Sequence, residues 1–171
     1  MTSQVVNLDR FKLAHESGGT AGGETYETAL AELRLGRKTS DWIWYVFPQG
    51  PIGGSSSNAL KYQIQNLEEA NAYVADPLLF GRLVEVTTIL RGQLHSRVLD
   101  GIQGHRALCQ VMGKDIDAKK TVSCLTLFTG LVGEDSSDAV TEFRVAAKEI
   151  LEMIKPDMVS CQRTIALGWF G

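Results

Sequence analysis

A chain of 171 residues is long enough for one domain with a sizeable core, and two domains would each be small. Its 44% hydrophobic and 22% charged residues are ordinary for a globular protein. A net charge of −3 and a pI near 5.6 argue against nucleic acid as the main partner, and no run approaches the roughly 18 apolar residues of a membrane span.

The start, MTSQVVNLDRF, has no basic stretch followed by an apolar run, so no secretory signal is expected. Cys109, Cys124 and Cys161 are far apart and odd in number. They predict reduced thiols and a cytoplasmic protein rather than a disulfide framework.

Residues 1–6 read as a frayed tail. From Asn7, a potential N-cap, Leu8, Phe11 and His15 recur at helical spacing and predict a helix over 7–16. ESGGTAGGE places four glycines between Glu16 and Glu24, so 17–24 is a glycine-rich loop. In TYETALAELRLGRK, Tyr26, Ala29, Leu30 and Leu33 share a face, and Gly36 stands where a helix closes.

DWIWYVFPQ, residues 41–49, follows. As a strand or as a helix, the apolar positions 42–47 leave no face for water, so the segment should be buried all round. Ser40 is a candidate N-cap before it, and Pro48 ends it. The indoles of Trp42 and Trp44 and the Tyr45 hydroxyl each need a partner inside. GPIGGSSSN then gives a glycine- and serine-rich loop over 50–57. If Ser57 or Asn58 caps the next helix, the loop has the makings of an anion site, although it lacks the Gly-Lys-Ser/Thr ending of a P-loop.

Beyond it, SNALKYQIQ reads as a short helix. Asn66 caps another, and Asp76-Pro77 opens a third over 77–91 that Gly92 ends, with Phe80, Leu83, Val84, Thr87 and Leu90 inward. Residues 93–117 predict one or two short helices broken at Gly101, Gly104 and Gly113. Asp117 caps AKKTVSCLTLFTGL, a mostly interior helix, and Ser137 or Asp138 caps a long one stopped by Pro156. A last helix over about 159–167 carries Cys161, Arg163 and Ile165. No βαβ rhythm, hairpin signal, repeat or long heptad seam is present. The expected fold is all-α: one compact, irregular multihelical domain over 1–171, about eight helices around the buried aromatic segment.

YETALAELRLGRKTSDWIWYVFPQ, then YQIQNLEEANAYVADPLLFGRL, KKTVSCLTLF and QRTIALG, together resemble the domain-of-unknown-function 1810 family, some members of which are labelled calpastatin. The resemblance runs through nearly the whole chain and implies a small, mainly helical domain and no established reaction. The matching positions include Trp42, Trp44, Phe47, Pro48, Gln49, Tyr62, Tyr73, Pro77, Lys120, Ser123, Thr126, Arg163 and Thr164. Two departures flank the aromatic run: Asp41 stands where the family has His, and GPIGGSSSN replaces a Leu-x-Gly-Leu-Gly-like stretch.

The candidate chemistry centres on Lys120, near the start of an otherwise apolar helix. It either binds an anionic group or acts as a base, or it forms a structural ion pair with Asp117 or Asp41. Asp41 is a candidate general acid/base, or a carboxylate favoured by a helix start. Gln49 would orient a carbonyl or amide. Trp42 and Trp44 would stack on a planar ligand or pack in the core. Ser57, Asn58, Tyr62 and Arg163 complete the candidate binding set. His15, His95 and His105 have no HExxH spacing and the cysteines no CxxC, so no metal or organic cofactor is expected. The expected function is a cofactor-independent enzyme using acid–base chemistry (hydrolysis, elimination or cyclisation/isomerisation) on a small polar organic molecule. The alternative is a non-catalytic ligand-binding or protein-interaction domain.

Overall fold

A computed structural model describes residues 5–19, 23–133, 137–155 and 161–170, in which the chain forms ten helices and no strand. Most of the predicted tail, the middle of the 17–24 loop, Pro156 and the start of the predicted last helix lie outside the described residues.

The caps explain the first elements. Asn7 Oδ1 accepts the Asp9 N–H at 2.8 Å just before α1 (Asp9–Ser17). Thr25 caps α2 (Tyr26–Leu35) by accepting the Thr28 N–H, and Gly36 closes it in the left-handed conformation at φ 84°. The aromatic run becomes a single helical turn, α3 (Ile43–Val46). Ser40 does not cap it; its hydroxyl donates to Glu32 at 2.6 Å instead. Around it, Trp42, Ile43, Tyr45, Val46, Phe47 and Pro48 are buried, while Trp44 is half-buried. One turn has too few intrahelical bonds to hold itself, so its shape comes from its neighbours.

The cap of α4 (Ser57–Tyr62) is Ser56, not Ser57 or Asn58; Ser56 Oγ accepts the Ala59 N–H at 3.1 Å. Asn66 caps α5 (Leu67–Ala75), accepting from Glu69 at 2.9 Å, and Asp76 caps α6 (Pro77–Leu99) through the Leu78 and Leu79 N–H groups. α6 runs straight through Gly92. A glycine there costs a helix only about 1 kcal/mol, and the buried Leu90 and Leu94 on either side hold the helix in register. α7 (Gly104–Met112) starts on a glycine for a steric reason: a Cβ at Gly104 would stand 1.8 Å from the Met153 carbonyl oxygen.

α8 (Asp115–Leu131) begins two residues before the expected cap. Asp117 lies inside its first turn, buried, with its carboxylate 2.7 Å from Lys38 Nζ. Positions 121–128 of α8 are all buried, as an interior helix requires. α9 (Asp138–Met153) is capped by Ser137, and α10 (Gln162–Ile165) follows.

One core unites these pieces. α6 packs on α2, α5, α7 and α9, and α8 packs on α3, α5, α7, α9 and α10. Rings thread through it from Tyr45 to Tyr62 (5.0 Å between centroids), Phe11 (6.2 Å), Tyr73 (5.3 Å), Phe128 (5.2 Å), Phe143 (6.5 Å) and Phe80 (5.5 Å). Such pairs add about 0.5–1.5 kcal/mol each beyond the area they bury. The chain of rings ties the α3 turn to the three long helices α6, α8 and α9.

Candidate functional site

Two short features meet on α8. The loop that leaves α3 turns at once: the Ile52 N–H donates to the Gly50 carbonyl at 2.9 Å, and Gly53 takes φ 101°, which a side chain would resist. The Gln49 carbonyl is fixed from below by the Ile64 N–H at 2.8 Å. α10 is pinned from the other side. Ser123 and Thr164 share a hydrogen bond of 2.9 Å between hydroxyls, and the Cys161 N–H donates to Thr126 Oγ1 at 3.1 Å. Between the loop, α8 and α10 lies a cleft of about 540 Å³.

Its walls are chemically sorted. Ile52, Ala59, Ile116 and Val122 supply an apolar lining, whereas Lys119, Lys120 and Arg163 supply three cations. No carboxylate lines it among the described residues. Gln49, Ser123, Cys161 and Gln162 add neutral polar groups. Lys120 is held rather than free: its Nζ is 3.6 Å from Asp117 Oδ1 and 4.7 Å from the centre of the Trp44 ring. Lys119 bonds Asp115 at 2.6 Å, and Arg163 has no ion-pair partner among the described residues.

The cleft therefore brings together Gln49, Lys120 and Arg163 of the expected site, with Trp44 behind Lys120. It does not take in the others. Asp41 is exposed in a separate hollow with Lys38, Lys114 and Asp117, so the carboxylate that reaches Lys120 is Asp117. Trp42 is fully buried and its indole N–H donates to Glu32 at 2.8 Å, which leaves no face for a ligand. Ser57 is exposed, and neither it nor Asn58 lines the cleft. Tyr62 is buried, facing a hollow of about 20 Å³ that shares Gln49, Ile52, Gly54 and Ala59 with the cleft. The Trp44 indole N–H is buried beside that hollow with no acceptor among the described residues.

Cys161 is the residue that sequence reasoning passed over. Burial pushes its thiol up, but the Thr164 hydroxyl and N–H, the Ser123 hydroxyl and the Arg163 N–H together hold it below the usual thiol range. Cys124 shows the opposite: full burial without such donors raises it well above that range. The signal was present in the hydroxyl-rich positions 123, 126 and 164, whose partners only the packing of α10 on α8 reveals.

A second surface hollow of about 440 Å³, lined in part by Arg10, Lys61 and Tyr62, has less to offer. Its Arg10 is already spent on Glu69 and on the Lys61 and Gln63 carbonyls at 2.8 and 2.9 Å.

A family model described as a protein of unknown function (DUF1810) matches residues 5–144. A crystal structure of the conserved hypothetical protein Rv1873 from Mycobacterium tuberculosis is similar over 93% of this chain and 94% of its own, with 34% identity and a TM-score of 0.67. No curated protein matches the chain.

Proposed function

The chain belongs to the DUF1810 family, and we propose that the cleft on α8 binds a small organic anion and acts on it by acid–base chemistry. The observation that carries this reading is the sorting of charge: three cations and no described carboxylate line a partly apolar cleft. Such a site favours a carboxylate or phosphate joined to a compact organic body. Arg163 offers a fork for the anionic group and Lys120 a point charge, while Gln49 offers polar contacts to the body of the ligand.

The proton-transfer group in this reading is Cys161. Its thiol is held low by Ser123 and Thr164, which brings it closer to neutral pH, where proton exchange is effective. Asp41 has no part in it, because it lies in another hollow. The non-catalytic alternative keeps the same binding residues and drops the chemistry.

Incubation of wild type and Cys161→Ser with small phosphates and carboxylates, followed by proton NMR, separates the two. The enzyme reading predicts a compound that wild type consumes and Cys161→Ser binds but leaves intact. Binding by both with consumption by neither leaves a binding domain. Binding by neither removes the site.

A further inference from the structure

Next to the cleft, on the far side of Lys119, α7 and the first turn of α8 bring three donor atoms to one point. His105 and Cys109 are four residues apart on α7, so they share a face of that helix. The chain then turns through Gly113 at φ 79°, and α8 opens on Asp115. Cys109 Sγ lies 3.8 Å from His105 Nε2 and 3.8 Å from Asp115 Oδ1, and the histidine and aspartate atoms are 3.9 Å apart. The three form a nearly equilateral triangle.

Those separations fit a coordination sphere. Bonds of about 2.0–2.3 Å from N, O and S ligands meeting at a tetrahedral angle place the donors roughly 3.3–3.6 Å apart. Closing the triangle onto an ion asks for shifts of only a few tenths of an ångström. Lys119 helps: its ammonium bonds Asp115 Oδ2 at 2.6 Å, which orients the carboxylate and turns Oδ1 toward the cysteine and histidine.

The same three residues do not make a nucleophilic triad. In a triad the carboxylate holds the imidazole nitrogen that faces away from the nucleophile. Here Asp115 and Cys109 face the same nitrogen, and His105 Nδ1 is buried without a partner among the described residues.

We propose that His105, Cys109 and Asp115 form a metal site that takes a divalent ion of the zinc type through Nε2, Sγ and Oδ1. The mixed N, S and O donor set suits a borderline ion rather than magnesium or calcium. The Cys109 proton leaves to solvent as the sulfur–metal bond forms. The three side chains are half-buried or exposed, so the fourth position opens to water or an exchangeable ligand. The ion would staple α7 to α8, and the proposal stands independently of the anion cleft.

Cobalt(II) is the probe, because a thiolate–cobalt bond gives a near-ultraviolet charge-transfer band. Chelator-treated full-length protein titrated with cobalt(II) should develop that band with an endpoint of one equivalent, and zinc(II) should abolish it by displacement. Cys109→Ser should remove the band, and Asp115→Asn should weaken binding at least about tenfold, as even outer-sphere changes do. Cys161→Ser should leave the band unchanged. Circular dichroism checks that each variant is folded, and His105→Gln replaces Cys109→Ser if the latter is not. The proposal is overturned by the lack of a saturable band, by a band that survives Cys109→Ser or His105→Gln in a folded protein, or by a band that Cys161→Ser removes.

Discussion

His15 and Glu32 show how single polar groups hold the aromatic segment in place, and each has its own pH signature. His15 is buried, with Nε2 2.6 Å from the Tyr45 carbonyl and Arg82 3.2 Å from Nδ1. Burial, aided by Arg82 and opposed by the Tyr45 hydrogen bond, lowers its pKa from 6.5 to about 4. The unfolded chain takes up a proton below pH 6.5 that the folded form refuses until about 4. Stability is therefore full above that range and falls as pH drops through it, by roughly 3 kcal/mol at most. Urea unfolding at stepped pH should show this limb in wild type and lose it in His15→Gln, which can still donate to Tyr45. Glu32 works in a lower window. Burial raises its pKa, but hydrogen bonds from Ser40, Thr39 and Trp42 outweigh that and hold it at about 2 instead of 4.5. Its contribution is present above pH 4.5 and disappears as pH falls toward 2. At neutral pH, Glu32→Ala should cost about 1–3 kcal/mol in the same assay, since it strands the buried Trp42 N–H.

Between elements, two contacts set where α3 and α7 sit. The Lys38–Asp117 pair, 2.7 Å apart with side chains only 4% and 7% exposed, ties the segment before α3 to the first turn of α8. Lys38→Met leaves Asp117 short of a partner and should cost about 3–5 kcal/mol in chemical denaturation, with much of it recovered in Lys38→Met/Asp117→Leu. Gly104→Ala drives a methyl into the Met153 carbonyl and should lower stability by at least about 1–3 kcal/mol, read as a fall in Tm. The helices that carry their own stop and start signals were legible in the sequence. Gly36 closes α2, Asn66 opens α5 and Asp76-Pro77 opens α6, because each acts through its own backbone neighbourhood. What escaped were decisions made by packing. α6 ignores Gly92 because Leu90 and Leu94 are both buried, and Asp117 forgoes capping because Lys38 arrives from a distant segment. The α3 turn carries no preference of its own, since six consecutive apolar residues suit strand and helix alike.

Across the whole molecule, the fold places a cation-lined cleft where the loop after α3 and the short α10 converge on α8. Lys120, Gln49 and Arg163, singled out in the sequence because their types are out of place in apolar or terminal stretches, do line one cleft. Asp41 and Trp42 lie outside that cleft, because adjacency in sequence to Gln49 does not survive one turn of α3: Trp42 is buried in the core and Asp41 lines another hollow. Cys161 stayed hidden because its partners, Ser123 and Thr164, come together only when α10 docks on α8. The measurement that bears most directly on the central claim is a thermal-shift screen of wild type, Lys120→Ala and Arg163→Ala against sugar phosphates, nucleotides and small carboxylic acids. A ligand at about one hundred times its Kd adds about 2.7 kcal/mol to the folded state. The anion-cleft account predicts that some phosphate or carboxylate raises the wild-type Tm and that each substitution removes the rise while the protein stays folded. A rise that both variants retain, or no rise with any anion, would contradict it.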